Sequence, residues 1–165
     1  MNRAALLGEI VNEFKHFPWY PDSPSEEDTL DLYCEAGCAF YYSDDEKDED
    51  TAYDIFAKAR WPDGVLCPRC GNNKISSLLS YRKYECLNCE YQFSATSKTV
   101  FHKLRIPMRH LVGLVALLEA HQWKRGVRHF LSSANPDPDM TANPISYPTV
   151  WRLTRLAQAP EWLVH

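Results

Sequence analysis

The stretch that decides the fold is Cys67-Pro68-Arg69-Cys70-Gly71, followed by a second pair at Cys86-Leu87-Asn88-Cys89. Two C-x2-C pairs separated by 15 residues are typical of a tetrahedral metal site with four cysteine ligands. Gly71 can adopt the left-handed conformation that closes the first turn. The spacing therefore predicts a zinc ribbon in which Cys67, Cys70, Cys86 and Cys89 hold one structural Zn²⁺.

Other chemistries fit this cysteine pattern less well. A catalytic zinc keeps a coordination position open for water, whereas four thiolates close the coordination sphere. A redox dithiol needs only one C-x2-C pair in a thioredoxin-like setting. Iron can use the same four ligands in a rubredoxin-like way, and the sequence does not distinguish the two metals.

Short strands are expected around the two cysteine pairs, and helices on either side of them. The strand-like runs lie near residues 65–66, 75–80, 81–85 and 91–94. Upstream, an amphipathic helix is predicted over 4–17, and Ser25 with the acids after it marks the start of a second helix that ends near Tyr41. Thr51 is expected near the start of a third helix with Ile55, Phe56 and Ala59 facing inward. The predicted fold class is α+β.

The downstream half is predicted to be helical. Pro107 precedes a strongly apolar helix from Met108 to about Gln122, and residues 126–133 have room for two more helical turns. Three prolines within residues 132–144 predict a loop. Ser146 is expected to cap a last helix that runs to about Ala159.

Charge divides the 165-residue chain into an acidic front and a basic back. Residues 1–60 hold five basic and 15 acidic side chains, a net charge of −10, and residues 61–165 hold 13 and seven, a net charge of +6. This split predicts parts with different partners. The expected division is an acidic helical region (1–50), a zinc ribbon with its leading helix (51–101), and a helix-turn-helix-like region (102–165). Cys34 and Cys38, four residues apart on a helix, are interpreted as packing residues.

The ribbon resembles the transposase zinc-ribbon family. The resemblance lies in residues 60–71 (RWPDGVLCPRCG), 84–94 (YECLNCEYQFS) and 96–101 (TSKTVF). It covers roughly residues 50–158 and is thin beyond residue 125. These modules form the DNA-binding region of insertion-sequence transposases that carry a DDE catalytic domain. The motif Ser146-Tyr147-Pro148-Thr149-Val150-Trp151-Arg152 is similar to the last helix of the family's helix-turn-helix, although a long loop and Pro148 depart from that pattern.

The resemblance implies that the back of the chain binds DNA. On the last helix, Tyr147, Thr149, Arg152 and Arg155 would face the major groove or its phosphates, with Val150 and Leu153 in the core. Basic side chains elsewhere would contact phosphates. They are Arg69, Lys74, Arg82, Lys83, Lys98, Lys103, Arg105, Arg109, Lys124, Arg125 and Arg128.

An alternative function is a protein-binding adaptor. The acidic run Asp44, Asp45, Glu46, Asp48, Glu49 and Asp50, expected as a solvated loop, would then bind a basic partner such as a polymerase or nuclease. The same segment could fold back and inhibit DNA binding. An enzyme is not expected, because no DDE domain follows the ribbon and no nucleophile elbow or phosphate-binding glycine loop occurs. No apolar run is long enough for a signal or membrane span, so we expect a cytoplasmic protein, nucleoid-associated if it binds DNA.

Overall fold

The computed structural model describes residues 1–16, 18–78, 81–120 and 146–163. Within these residues the fold is α+β, as predicted, with five helices and one three-stranded sheet. The predicted helical turns at 126–133, the loop at 132–144, Lys124, Arg125 and Arg128 lie outside the described residues. No helix among the described residues is long and apolar enough to cross a membrane.

Three helices precede the ribbon. Helix α1 spans Arg3–Phe14, α2 spans Glu26–Tyr42 and α3 spans Glu46–Arg60. The predicted start of α2 is confirmed, since Ser25 and Asp28 form a reciprocal capping box. The predicted inward face of α3 is also confirmed, because Ile55, Phe56 and Ala59 are buried.

The acidic run is not the solvated loop that its composition predicts. Asp45 is the N-cap of α3, its side chain accepting a hydrogen bond from the backbone N–H of Lys47 at 2.8 Å. Residues 46–50 form the first turns of that helix. Acidic side chains there are favoured by the positive end of the helix dipole. Helix α3 therefore spans residue 50, where the acidic region was expected to end.

The sheet is a small antiparallel meander in the order β1-β2-β3. Strand β1 spans Ile75–Leu78, β2 spans Lys83–Cys86 and β3 spans Gln92–Phe93. Ile75 pairs with Cys86, and Tyr84 pairs with Phe93. The strand predicted near residues 65–66 is absent, since that segment enters the first cysteine turn without pairing to a neighbour strand.

Helices α4 (Met108–Ala120) and α5 (Tyr147–Ala157) complete the fold. Helix α4 lies at the centre of the main core, with every residue from His110 to Leu118 buried. Helix α5 packs Val150 and Leu153 into the same core. Ser146 is its N-cap, but the Ser146 hydroxyl bonds the Thr149 hydroxyl at 2.9 Å and caps no backbone N–H.

Cys34 and Cys38 lie half-buried on α2 against the main core. Neither belongs to the four-cysteine cluster among the described residues. Their placement agrees with a packing role.

Candidate metal centre and nucleic-acid interface

The two cysteine pairs stand on matching turns. The backbone N–H of Gly71 donates to the Cys67 carbonyl at 2.9 Å, and the N–H of Glu90 donates to the Cys86 carbonyl at 2.8 Å. Gly71 has φ of 73° and Glu90 has φ of 56°, so each turn closes through a left-handed residue. The left-handed conformation predicted for Gly71 is therefore confirmed.

The strands bring the four thiols into one cluster. All four Sγ atoms lie within 4.8 Å of one another. The Sγ atoms of Cys67 and Cys89 are 3.6 Å apart, as are those of Cys70 and Cys86. Tetrahedral coordination with Zn–S bonds of about 2.3 Å places sulfurs about 3.8 Å apart. The donor set and its spacing therefore fit a structural Zn²⁺.

Backbone hydrogen bonds reach the cysteine sulfurs, and at Cys70 they favour the thiolate form that a metal requires. The backbone N–H of Arg69 donates to the Cys67 sulfur at 3.4 Å. A hydrogen bond from the Asn72 backbone is the main reason that the pKa of the Cys70 thiol falls to about 6. Cys67 and Cys86 are buried, so water has little access to half of the ligand set.

An aromatic cluster forms the small core of the ribbon. Trp61 makes edge-to-face contacts with Tyr84 and Phe93, at centroid distances of 5.5 and 6.0 Å. Tyr91 stacks on Phe93 at 6.0 Å. This core contains few side chains, so the metal must supply much of the free energy that folds the segment.

Tyr53 and Arg60 of α3 fasten the ribbon to the helices. The Tyr53 hydroxyl donates to the Arg82 carbonyl at 2.6 Å and accepts from the Ala95 N–H at 3.1 Å. Arg60 donates to the Ala95 carbonyl and lies over the Trp61 ring. Burial raises the pKa of Tyr53, which keeps its phenol protonated and able to donate.

The segment that holds the four cysteines is similar to known proteins. Residues 47–92 match the family described as the transposase zinc-ribbon domain. This segment is similar to the transposase zinc ribbon. Its four cysteines form a structural Zn²⁺ site, and the predicted resemblance is confirmed over these residues.

One relative is an uncharacterized protein in the transposable element ISH50 of Halobacterium salinarum, 33% identical over 64 residues. The match covers 37% of the present chain and 22% of the relative, so the chain spans less than a quarter of that protein's length. The comparison with solved structures gives no match. The matched family is the zinc-ribbon region of transposases and not their catalytic domain.

Most of the predicted DNA-contacting side chains lie at the surface of the zinc ribbon and the elements after it. Arg69, with its guanidinium 5.8 Å from the Tyr91 ring centroid, is exposed. The other exposed candidates are Lys74, Lys83, Lys98, Lys103, Arg105, Arg152 and Arg155. Thr149 is half-buried, and the side chain of Tyr147 lies outside the described residues.

Three of these candidates come together in the turn segment, residues 94–107 between β3 and α4. Tight turns follow one another here, closed by hydrogen bonds such as Ser97 N–H to the Ser94 carbonyl and His102 N–H to the Thr99 carbonyl. Phe101 anchors the segment by packing edge-to-face on the buried Trp162 at 4.8 Å. Lys98, Lys103 and Arg105 project outward from this frame.

Two other candidate arginines form ion pairs within the chain. Arg82 pairs with Asp50, its Nη2 atom lying 2.7 Å from Oδ1. Arg109 donates to the Ser43 carbonyl at 2.7 Å and pairs with Glu49 at 3.3 Å. Their availability to phosphates is therefore lower than their charge alone suggests.

Most acidic side chains of the acidic run already have partners within the chain. Glu49 and Asp50 hold these arginines, Asp48 accepts from the Ser43 hydroxyl, and Asp45 caps α3. Asp44 and Glu46 are exposed. The adaptor function assigned to the run stays a prediction.

Trp151 is a functional candidate for which no binding role was predicted from the sequence. It stands 49% exposed on α5, with the Arg155 guanidinium 4.8 Å from its ring centroid. The available signal was its position next to the buried Val150, about 100° around the axis of an amphipathic helix and so at the edge of the buried face.

Proposed function

We propose that this chain is a non-catalytic, transposase-derived DNA-binding protein that acts as an accessory or regulatory factor. The observation that carries the proposal is the exposed positive charge of the turn segment. Residues 91–118 contain no acidic side chain, and Lys98, Lys103 and Arg105 are exposed along this stretch beside the transposase zinc ribbon. A local excess of cations without neighbouring acids is the electrostatic footprint expected for binding phosphates.

Backbone geometry supports a functional role for two of these lysines. Lys98 has φ of 55° and Lys103 has φ of 65°. A non-glycine residue in this left-handed region costs about 1 kcal/mol relative to glycine. Residues kept in unfavourable conformations cluster at functional sites. The side chains are therefore interpreted as the reason that glycine does not occupy these positions.

Helix α5 adds further exposed positive charge. Arg152 and Arg155 are exposed on the side opposite Val150 and Leu153. The chain following α5 pairs with the turn segment, since the Val100 N–H donates to the Trp162 carbonyl at 2.8 Å. Phosphate contacts from both elements would give affinity, while sequence preference would require base contacts from α5.

The proposal of no catalysis rests on the chemistry of the described residues. Four thiolates leave zinc no open position for an activated water. Three carboxylates of the acidic run, those of Asp45, Glu49 and Asp50, serve as a helix cap or as arginine partners. Mg²⁺- or Mn²⁺-dependent strand cleavage by the purified protein would contradict this part of the proposal.

The test is binding of a labelled, mixed-sequence DNA duplex to the zinc-loaded full chain, followed by fluorescence anisotropy across a salt series. We expect the logarithm of the binding constant to fall linearly with the logarithm of salt concentration, because each phosphate contact releases a counterion. Absence of binding at low salt would overturn DNA binding as the function.

A further inference from the structure

Trp151 breaks the pattern of burial on α5. Val150 and Leu153 are fully buried and Ala157 is 1% exposed, whereas Trp151 leaves 49% of its surface in solvent. A tryptophan side chain is a large apolar group that gains stability when it is covered. The core formed by the described residues leaves about half of it uncovered, so packing within these residues gives no reason for so large a side chain at this position.

The surroundings of Trp151 are cationic. Arg152 follows it directly and is exposed, and Arg155 holds its guanidinium 4.8 Å from the indole centroid. Helix α5 carries no acidic residue. The ligand that complements this surface therefore combines negative charge with a flat apolar face.

A nucleic acid with an accessible base meets both requirements. Phosphates pair with the arginines, and a base stacks on the indole or on the guanidinium plane. In a duplex the faces of the bases are covered by their neighbours, and only the edges are open in the grooves. Stacking on Trp151 therefore requires an unpaired base.

We infer that Trp151 is a stacking platform for an unpaired nucleobase, with Arg152 and Arg155 on the flanking phosphates. This inference rests on the proposed DNA binding and adds a preference for single-stranded DNA on α5. Stacking is sequence-tolerant because every base has a π-face. The α5 surface would therefore distinguish unpaired from paired DNA without selecting a sequence.

The experiment compares a labelled single-stranded oligonucleotide with the duplex of the same sequence, each titrated with the zinc-loaded full chain. The variants are W151A and W151F. The matched control is W19A, because Trp19 is 44% exposed and lies before α2 in the acidic half of the chain. Zinc content and circular dichroism establish that each variant is folded.

We expect W151A to weaken single-strand binding by about five- to 100-fold, the range that loss of one base–aromatic stack gives. W151F should lose less, because an aromatic face remains. Binding of the duplex should change by less than about threefold in each variant, and W19A should match the unaltered chain on both DNAs.

Equal losses on the two DNAs would overturn the inference in favour of a groove contact. Unchanged binding of both DNAs by W151A would also overturn it. These outcomes leave duplex binding by the unaltered chain intact. Failure of the unaltered chain to bind either DNA would instead overturn the proposed function.

Discussion

At the scale of the residue, Glu49 links helix α3 to helix α4. Its carboxylate accepts from the backbone N–H groups of Met108 and Arg109 at 2.8 and 3.0 Å, and so caps the start of α4. The same group pairs with the Arg109 guanidinium, and both side chains are largely buried. Helix α4 is the centre of the core, so this contact sets the position of α3 against it.

Replacing Glu49 should destabilise the fold strongly. We expect E49A to lower the free energy of unfolding by about 2–3 kcal/mol, since it removes a helix cap and leaves Arg109 without its carboxylate partner. Urea unfolding measures the effect. E46A, at an exposed position of the same helix, should change stability by less than about 0.5 kcal/mol. Equal effects of the two substitutions would contradict this role.

His110 makes stability depend on pH. Its Nδ1 atom lies 2.8 Å from the Tyr41 carbonyl, and burial lowers its pKa despite that hydrogen bond and the nearby Glu49, with Arg109 adding to the decrease. The unfolded chain takes up a proton near pH 6.5. Stability is therefore present above that pH and is lost as the pH falls below it, by at most about 1.4 kcal/mol per pH unit.

The measurement is urea unfolding at pH 7.5 and 5.5 with zinc in excess, for the unaltered chain and for H110N. Asparagine keeps an N–H donor near the position of Nδ1 but does not titrate, so H110N should lose less stability on acidification. Protonation of the zinc thiolates affects both proteins alike and cancels in the comparison. Identical losses would show that His110 does not titrate as inferred.

At the scale of the element, α2 and α4 pack closely against each other at two glycines, Gly37 on α2 and Gly113 on α4. A Cβ on Gly113 would lie 2.5 Å from the Tyr41 nitrogen and 2.8 Å from the Gly37 carbonyl oxygen. These are backbone atoms of α2, which cannot move aside as a flexible side chain can. We expect G113A to cost about 2–3 kcal/mol of stability through overpacking.

The matched substitution is G8A in α1. A Cβ on Gly8 would meet no atom within 4 Å, and alanine favours a helix interior by about 0.5–1 kcal/mol over glycine. G8A should therefore raise the thermal unfolding midpoint and G113A should lower it. A stable G113A protein would mean that α2 and α4 are farther apart than described.

The ribbon and the helices have separate cores, and this predicts how the chain responds to loss of metal. Cys67, Cys86 and Phe93 form one buried cluster, while the main core draws on each of the five described helices. Chelation of zinc should abolish amide-exchange protection in β1–β3 and leave α4 protected, because only the ribbon depends on the metal for folding.

Substitution of a ligand should reproduce this pattern. C89S should lose tightly bound zinc, and C34S, which alters a half-buried cysteine of α2 outside the cluster, should keep about one zinc per chain. Global unfolding on chelation would contradict the independence of the two cores. Retention of zinc by C89S would contradict the ligand assignment.

Local features of these elements were predictable from the sequence, and distant contacts were not. The cysteine spacing and the capping serine before α2 depend on neighbours within a few residues, so the metal site and that helix start could be read directly. The acidic run was misjudged as a loop, although acids after Asp45 are also a signal for a helix start. Its partners Arg82 and Arg109 lie 32 and 60 residues away from Asp50 and Glu49, and no local pattern indicates such pairings.

At the scale of the whole molecule, the exposed charge differs from what the total charges of the two halves indicate. In the acidic run, four carboxylates cap a helix or hold side chains of other elements. The basic half keeps Lys98, Lys103 and Arg105 exposed in a stretch without acids. The net charge of −4 therefore does not describe the surface that DNA would meet.

The measurement that tests DNA binding by the turn segment most directly is the salt dependence of duplex binding by the double variant K98G/K103G. Glycine suits both left-handed positions, so the variant should fold at least as well while losing two cations. The slope of log binding constant against log salt should shrink by about 1.8, the value for two phosphate contacts. K47A, at an exposed lysine of α3, should leave the slope unchanged. A folded double variant with an unaltered slope would contradict the account.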